Sequence, residues 1–167
     1  MAEFHSYEPH LTRVCQTLQP RLAFEWGPGR STELILAHSS ANIFALEHDE
    51  NFYQTLVKQF AGNPRVNLVH RPTGIPYGGS QEYATYPLYL DRLFDLIVID
   101  GRQRCDCLTV AALVLEPNGI VLLHDSERPN YHAGYRFFES VEDLDGTTLL
   151  RKSKLRLDGS GGSEFRM

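Results

Sequence analysis

The sequence is poor in cysteine, in long apolar runs and in positive charge, and each shortage excludes a class of protein. The three cysteines, Cys15, Cys105 and Cys107, are too few and too unevenly spaced for a disulfide framework or a four-cysteine zinc site. No apolar run approaches the roughly 20 residues of a membrane span, and no segment resembles a signal peptide. We therefore expect a cytoplasmic protein with reduced thiols and no membrane association.

Positive charge is the scarcer sign, with 16 lysines and arginines against 21 acidic residues and a net charge of -5. A protein held to DNA or RNA mainly through phosphates needs a basic face, so this composition argues against such a nucleic-acid partner without excluding a short RNA substrate. The 167 residues suit a single domain, and a hydrophobic content of 42% is ordinary for a folded one.

Apolar runs of strand type alternate with segments of helical period along most of the chain. Strands are predicted at 21–25, 42–47, 66–70, 94–100 and 120–124, and helices at 11–18, 32–38, 107–116 and in the segment that carries Phe52, Leu56 and Phe60 on one face. This order implies right-handed crossovers and a mostly parallel sheet with helices on both faces. The sequence thus predicts a Rossmann-like, doubly wound α/β fold over residues 1–167.

Two regions depart from this alternation. Residues 71–90 are rich in glycine, proline and tyrosine, and we expect a loop there, without regular structure, that covers the active site and moves. After Asp125, a polar connector is followed by a predicted helix through Tyr131, Tyr135, Phe138 and Val141. The tail from Thr147 to Met167 alternates at 154–157, which predicts a terminal β-hairpin or edge strands.

The first candidate site follows the first predicted strand, in the segment Glu25-Trp26-Gly27-Pro28-Gly29-Arg30-Ser31-Thr32. Two glycines let the backbone turn sharply and approach a ligand at the start of the next helix, although an ordinary strand-to-helix turn remains an alternative. A dinucleotide fingerprint would have a third glycine where Thr32 stands, and the Glu25 carboxylate would repel a pyrophosphate but suits the ammonium group of an amino-acid ligand. A nicotinamide-dependent oxidoreductase is therefore disfavoured.

The second candidate is Glu47, which ends the next strand 22 residues after Glu25. A carboxylate at about this distance accepts hydrogen bonds from the ribose hydroxyls of an adenosine ligand. Because Asp49 and Glu50 follow, Glu47 could instead be one of several acids at a helix start. The two features together favour nucleoside binding.

The third candidate combines the ends of two further strands, at Asp100 and at His124-Asp125. Two carboxylates on adjacent strand ends can share a divalent cation, or they can accept a proton with His124 beside them. They could also merely cap helices. Arg102, Arg104 and Arg128 add positive charge nearby, either for an anionic substrate or for pairing with these carboxylates.

The ordered motifs around these positions resemble those of class I S-adenosylmethionine-dependent methyltransferases, over roughly residues 20 to 136. The resemblance implies that S-adenosylmethionine is the cofactor. The residues it would contact are Glu25, Trp26, Gly27, Gly29, Arg30, Ser31, Glu47, His48 and Asp100. Asp100 and Asp125 match the metal-binding carboxylates of small-molecule O-methyltransferases of the catechol and caffeoyl type. Those enzymes usually have an asparagine where Ser126 stands.

Two functions follow from these expectations. The first is methyl transfer to a small-molecule or sugar-like hydroxyl, with Asp100, His124 and Asp125 as catalytic residues and with a possible divalent cation on the two aspartates. The second is a non-catalytic module that binds S-adenosylmethionine or a related nucleoside. Both place the ligand at the carboxyl ends of the strands.

Overall fold

The computed structural model describes residues 6–73 and 81–152. These residues form one sheet with the strand order β3-β2-β1-β4-β5-β7-β6. The strands are β1 Leu22–Trp26, β2 Asn42–Glu47, β3 Val66–His70, β4 Phe94–Ile99, β5 Leu115–His124, β6 Ser140–Leu144 and β7 Thr147–Arg151. Strands β1 to β5 pair in parallel, and β7 pairs antiparallel with both β5 and β6.

Helices connect the parallel strands, as the alternation in the sequence predicts. The helices are α1 Glu8–Leu18, α2 Arg30–His38, α3 Glu50–Gln59, α4 Gln81–Thr85, α5 Arg104–Val114 and α6 His132–Tyr135, with 3-10 turns at Tyr86–Leu90 and Pro129–Tyr131. Helices α2 to α5 connect parallel strands, whereas α1 precedes β1 and α6 follows β5. Among the described residues, no helix is both long and apolar enough to cross a membrane.

Alternate residues of the central strands supply a hydrophobic core on each face of the sheet. On one face, Ile97 packs in a cluster with Leu108 of α5. On the other, Leu96 joins Leu11 of α1 and Ile35 of α2. Because both of its faces are covered, β4 reads as a nearly continuous apolar run. The α/β fold with helices on both faces is thereby confirmed.

The C-terminal part of the fold differs in detail from the prediction. A hairpin exists, but its strands are β6 and β7, and β7 lies between β5 and β6. The predicted helix through Val141 is wrong, because α6 ends at Tyr135 and Val141 belongs to β6. Gly134 weakens a helix, and aromatic and β-branched residues such as Phe138 and Val141 favour strands. The alternation at 154–157 lies outside the described residues.

The segment 71–90 divides into two parts. Residues 74–80, which hold all three of its glycines, lie outside the described residues. The expectation of no regular structure is wrong for 81–90, which form α4 and a 3-10 turn. Tyr83 and Ala84 are buried, and Pro87 lies in the first turn of the 3-10 segment, where the lost N–H has no helical partner. Whether the segment covers an acceptor site stays a prediction.

Candidate functional site

A cleft of about 460 Å³ opens at the carboxyl ends of β1, β2 and β4. Parallel pairing brings these ends to one edge of the sheet, where ligands of such folds bind. The volume lies within the range of roughly 300 to 1,000 Å³ found for small-molecule sites. Its lining residues are Tyr7, Gly27, Pro28, Gly29, Arg30, Glu47, His48, Asp49, Phe52, Asp100, Gly101, Arg102 and Arg104.

The turn after β1 packs against the end of β4. Gly27 has a φ of +82°, and a Cβ atom there would lie 2.7 Å from the Gly101 nitrogen and 2.8 Å from the Asp100 carbonyl carbon. The turn is fixed further by hydrogen bonds from Gly27 N–H to the Leu46 carbonyl and from Asp100 N–H to the Trp26 carbonyl. A side chain at position 27 would therefore separate the two loops that form this side of the cleft.

Glu25 is fully buried and bound to the helix that follows it. Thr32 donates its hydroxyl to Glu25 Oε2 at 2.6 Å and accepts the Gly29 N–H at 3.1 Å. Thr32 thus has a bonding role at the position where a dinucleotide fingerprint has its third glycine. Glu25 Oε1 is buried without a hydrogen-bond partner among the described residues, although Ser31 lies close by.

Burial raises the pKa of Glu25 from its ordinary 4.5 to about 7. The neighbouring hydroxyls of Ser31 and Thr32 lower this pKa and the charge of Asp100 raises it, but burial is the largest cause. Glu25 therefore changes its protonation state near neutral pH. A cationic ligand group close to it would favour the ionised form.

Trp26 lies in the hydrophobic core. Its side chain is fully buried, and its indole N–H donates to the Tyr83 carbonyl at 3.0 Å. The Tyr83 hydroxyl in turn approaches Gly101, where a Cβ atom would lie only 2.1 Å from it. Trp26 thus joins helix α4 to the turn at the cleft, and its side chain is not part of the cleft lining.

Glu47 lies at the rim of the cleft and is 3% exposed. Its Oε1 accepts the backbone N–H groups of His48 and Asp49, each at 2.7 Å. The N-cap of α3 is Asp49, which accepts the Phe52 N–H at 2.8 Å. Because Asp49 caps the helix, Glu47 is not needed as a helix-start acid, and the amides fix its carboxylate at the cleft.

His48 and Arg102 continue this rim, and His70 supports it from outside the lining. Arg102 donates from Nε to His48 Nε2 at 3.3 Å, and both residues line the cleft. His70 ends β3 and lies 3.1 Å from the His48 carbonyl through Nε2 and 2.9 Å from Glu50 through Nδ1. His70 therefore holds the loop after β2 against helix α3.

At the ends of β4 and β5, Asp100, His124 and Asp125 come together as predicted from the strand order. His124 Nδ1 lies 2.8 Å from Asp100 Oδ1, and its Nε2 lies 3.7 Å from Asp125 Oδ1. Burial lowers the pKa of His124, but the hydrogen bond to Asp100 and the charges of both aspartates outweigh it, so this pKa lies above its ordinary value. Asp100 lines the cleft, whereas His124 and Asp125 lie outside its lining.

Arg104 connects these two aspartates. It contacts Asp100 Oδ1 at 3.1 Å and Asp125 Oδ2 at 3.2 Å. The three potential metal-ligating atoms of Asp100, His124 and Asp125 lie within 4.8 Å of one another, a spacing that one cation could bridge. A cation on the same oxygens would meet the guanidinium, so these residues do not fit a bridging metal while Arg104 stays in place. Metal binding by the two aspartates stays a prediction.

Helix α1 contributes to the site, which no motif in the sequence predicted. Tyr7, at its start, lines the cleft, is 2% exposed and packs edge-on against the His124 ring with centroids 4.8 Å apart. Burial and the charges of Asp100 and Glu25 raise the pKa of Tyr7. Glu8 accepts two hydrogen bonds from Arg30, at 3.1 and 3.2 Å, which ties α1 to α2.

The structure sorts the predicted contact residues into two groups. Those that line the cleft are Gly27, Gly29, Arg30, Glu47, His48 and Asp100. Glu25, Trp26 and Ser31 are neighbours of these residues in the chain but are fully buried, so they fix the shape of the turn. The role of each toward a ligand stays a prediction.

Solved structures with similar folds were found. A methyltransferase-like protein from Silicibacter pomeroyi matches with a TM-score of 0.74 and 17% identity, over 92% of this chain and 88% of that one. The O-methyltransferase TomG from Streptomyces achromogenes, in complex with S-adenosylmethionine, matches with a TM-score of 0.66 and 15% identity, over 91% and 82%.

A third structure is the methyltransferase MycE from the mycinamycin biosynthetic pathway, in complex with Mg, S-adenosylhomocysteine and mycinamycin VI. It matches with a TM-score of 0.63 and 13% identity over 89% of this chain, which spans only 46% of MycE. A scan against protein-family models found no match, and a search of curated proteins found none either. At these identities the likeness shows the fold alone, and the predicted class I methyltransferase fold is confirmed.

Proposed function

We propose that this chain binds S-adenosylmethionine in the cleft and transfers its methyl group to a hydroxyl of a small molecule. The observation that carries the proposal is the arrangement of Glu47, the Gly27 turn and Asp100 around one cleft at the switch in strand order. The methyltransferase fold supports it. When bound, S-adenosylmethionine would supply an electrophilic methyl group.

The adenosine end of the ligand belongs beside Glu47. The Glu47 carboxylate is held by two backbone amides and so loses little freedom when it accepts ribose hydroxyls. His48 and Arg102 lie on the same rim. Phe52 is 45% exposed, lines the cleft and offers an aromatic ring to the adenine.

The methionine end belongs at the turn after β1. Glu25 Oε1 is buried with no hydrogen-bond partner in the described part of the chain, and the negative charge of this carboxylate favours a nearby ammonium group. Thr32 connects Glu25 to Gly29, so the charged group and the cleft-lining backbone are fixed together. The hydroxyls of Tyr7 and Ser31 complete the polar surroundings.

The acceptor hydroxyl belongs beside Asp100. Methyl transfer from a sulfonium requires alignment and removal of one proton from the acceptor. Asp100 faces the cleft and shares a hydrogen bond with His124, so the pair can take up that proton and hold it away from the reacting oxygen.

Methyl transfer is tested by incubating the protein with S-adenosylmethionine and a panel of phenol, catechol and sugar acceptors. His124→Gln should lower the rate by roughly 100-fold or more, the usual contribution of a positioned proton acceptor, while affinity for S-adenosylhomocysteine stays near that of wild type. His132→Gln, at an exposed histidine in α6, is the matched control and should retain full activity.

The panel also separates the two functions predicted from the sequence. If the wild-type protein binds S-adenosylhomocysteine but methylates none of the acceptors, the result favours the non-catalytic binding module. If His124→Gln and wild type methylate at equal rates, the assignment of the proton acceptor is wrong even though the enzyme activity stands.

A further inference from the structure

Every N–H donor of the Arg104 guanidinium has an acceptor at the ends of β4 and β5. Nε donates to the Gly101 carbonyl at 2.9 Å, and Nη2 donates to the carbonyl and the carboxylate of Asp100, each at 3.1 Å. Nη1 donates to the His124 carbonyl and to Asp125 Oδ2, the latter at 3.2 Å. Its five donors are thus all used.

The position of Arg104 in its helix is electrostatically unfavourable. It is the first residue of α5, where the helix dipole favours negative charge, and its side chain is only 10% exposed. A buried cation at a helix N-terminus requires compensation from nearby anions. Asp100 and Asp125 supply this compensation. They in turn require a cation, because their potential ligand oxygens lie within 4.8 Å of each other and two negative charges that close repel.

We infer that Arg104 occupies the place of a divalent cation between Asp100 and Asp125, so that this site is closed to metal in the native protein. A lysine could not replace it, because an ammonium has three donors and cannot bridge two carboxylates and three carbonyls. Combined with the proposed function, on which this consequence rests, the inference makes proton removal at Asp100 and His124 independent of metal.

The test is the binding of Mn²⁺ alone, measured by electron paramagnetic resonance as the loss of the free-ion signal. Wild type should show no saturable binding at these residues. Arg104→Ala removes the guanidinium and leaves two carboxylates and a histidine within 4.8 Å, so it should bind one Mn²⁺ at least about tenfold more tightly than wild type. Adding Asp125→Asn to this variant should abolish the gain.

Arg128→Ala is the matched control. Arg128 contacts the same Asp125 Oδ2 at 3.5 Å but is 58% exposed. Its removal should leave Arg104 bound between the two aspartates and should create no Mn²⁺ site. If Arg104→Ala is only marginally folded, Mn²⁺ should raise its melting temperature and leave that of wild type unchanged, because a ligand that binds the folded state stabilises it.

Three results would overturn the inference: saturable Mn²⁺ binding by wild type that Asp125→Asn removes, no Mn²⁺ binding by a folded Arg104→Ala, or no rise in melting temperature of that variant with Mn²⁺. None of these results depends on cofactor binding, because Mn²⁺ is titrated alone. Failure of the proposed function would appear separately, as a lack of S-adenosylhomocysteine binding by the wild-type protein.

Discussion

At the scale of single residues, Glu25 shows how burial changes the pKa of a side chain for which the sequence gives only the position. The sequence places a carboxylate before a glycine turn, and the structure shows it fully buried, bonded to Thr32 and with a pKa of about 7. Neither the pKa nor the partner follows from the motif alone, because the pKa rises mainly through burial and the bond to Thr32 requires the turn that brings α2 back to Glu25.

The raised pKa of Glu25 makes folding stability depend on pH. The folded chain holds this proton up to pH about 7, whereas the unfolded chain releases it near the ordinary 4.5. The folded state therefore binds more protons between these values, and stability falls as pH rises through this window. Glu25→Gln has no such proton, so its free energy of unfolding should rise relative to wild type by up to about 3 kcal/mol across the window.

Urea unfolding of wild type and Glu25→Gln at pH 4.5, 6 and 8 measures this difference. Glu139→Gln, at a solvent-exposed glutamate before β6, is the control and should show no comparable trend. A constant difference between wild type and Glu25→Gln at all three pH values would contradict the burial-driven pKa.

At the scale of elements, sequence predicted what periodicity and chain order control. Strands β2 and β3 lie at their predicted positions. Glu47 at the end of β2, Asp100 directly after β4 and His124 at the end of β5 meet at one edge of the sheet. The predictions of secondary structure are wrong where tertiary packing determines which element forms. Helix α4 forms because Tyr83 is buried against the Gly101 turn, and the hairpin forms by pairing of β7 with β5.

The turn after β1 offers a test of this packing. Gly27→Ala places a Cβ within 2.8 Å of backbone atoms of Asp100 and Gly101 and also strains a φ of +82°. Gly62→Ala has a similar φ of +73°, but nothing lies within 4 Å of the added atom. Gly62→Ala should cost only the strain, about 1–2 kcal/mol, whereas Gly27→Ala should cost clearly more and weaken S-adenosylhomocysteine binding.

Thermal and urea unfolding of the two alanine variants provide the comparison. Equal losses of stability would mean that the backbone conformation alone requires glycine at position 27. The contact between the two loops would then not be needed to shape the cleft.

At the scale of the whole molecule, the sheet formed by residues 6–73 and 81–152 brings distant segments to one edge. Tyr7, Glu47 and Asp100 line the same cleft although they lie in three separate parts of the chain. The sequence could identify Glu47 and Asp100 as site residues, because each lies at the end of a predicted strand. It could not identify Tyr7, because the position of Tyr7 at the cleft depends on how α1 packs against α2 and the sheet.

The central claim is that the cleft binds S-adenosylmethionine through Glu47, and calorimetric titration with S-adenosylhomocysteine tests it most directly. Wild type should bind one molecule, and NADH should not bind. Glu47→Gln should weaken binding by about 1–3 kcal/mol, or roughly 5- to 150-fold in Kd, because a charged hydrogen-bond acceptor is lost. Glu139→Gln, at an exposed glutamate outside the cleft lining, should retain wild-type affinity. No saturable heat with wild type, or equal affinities of wild type and Glu47→Gln, would contradict the account.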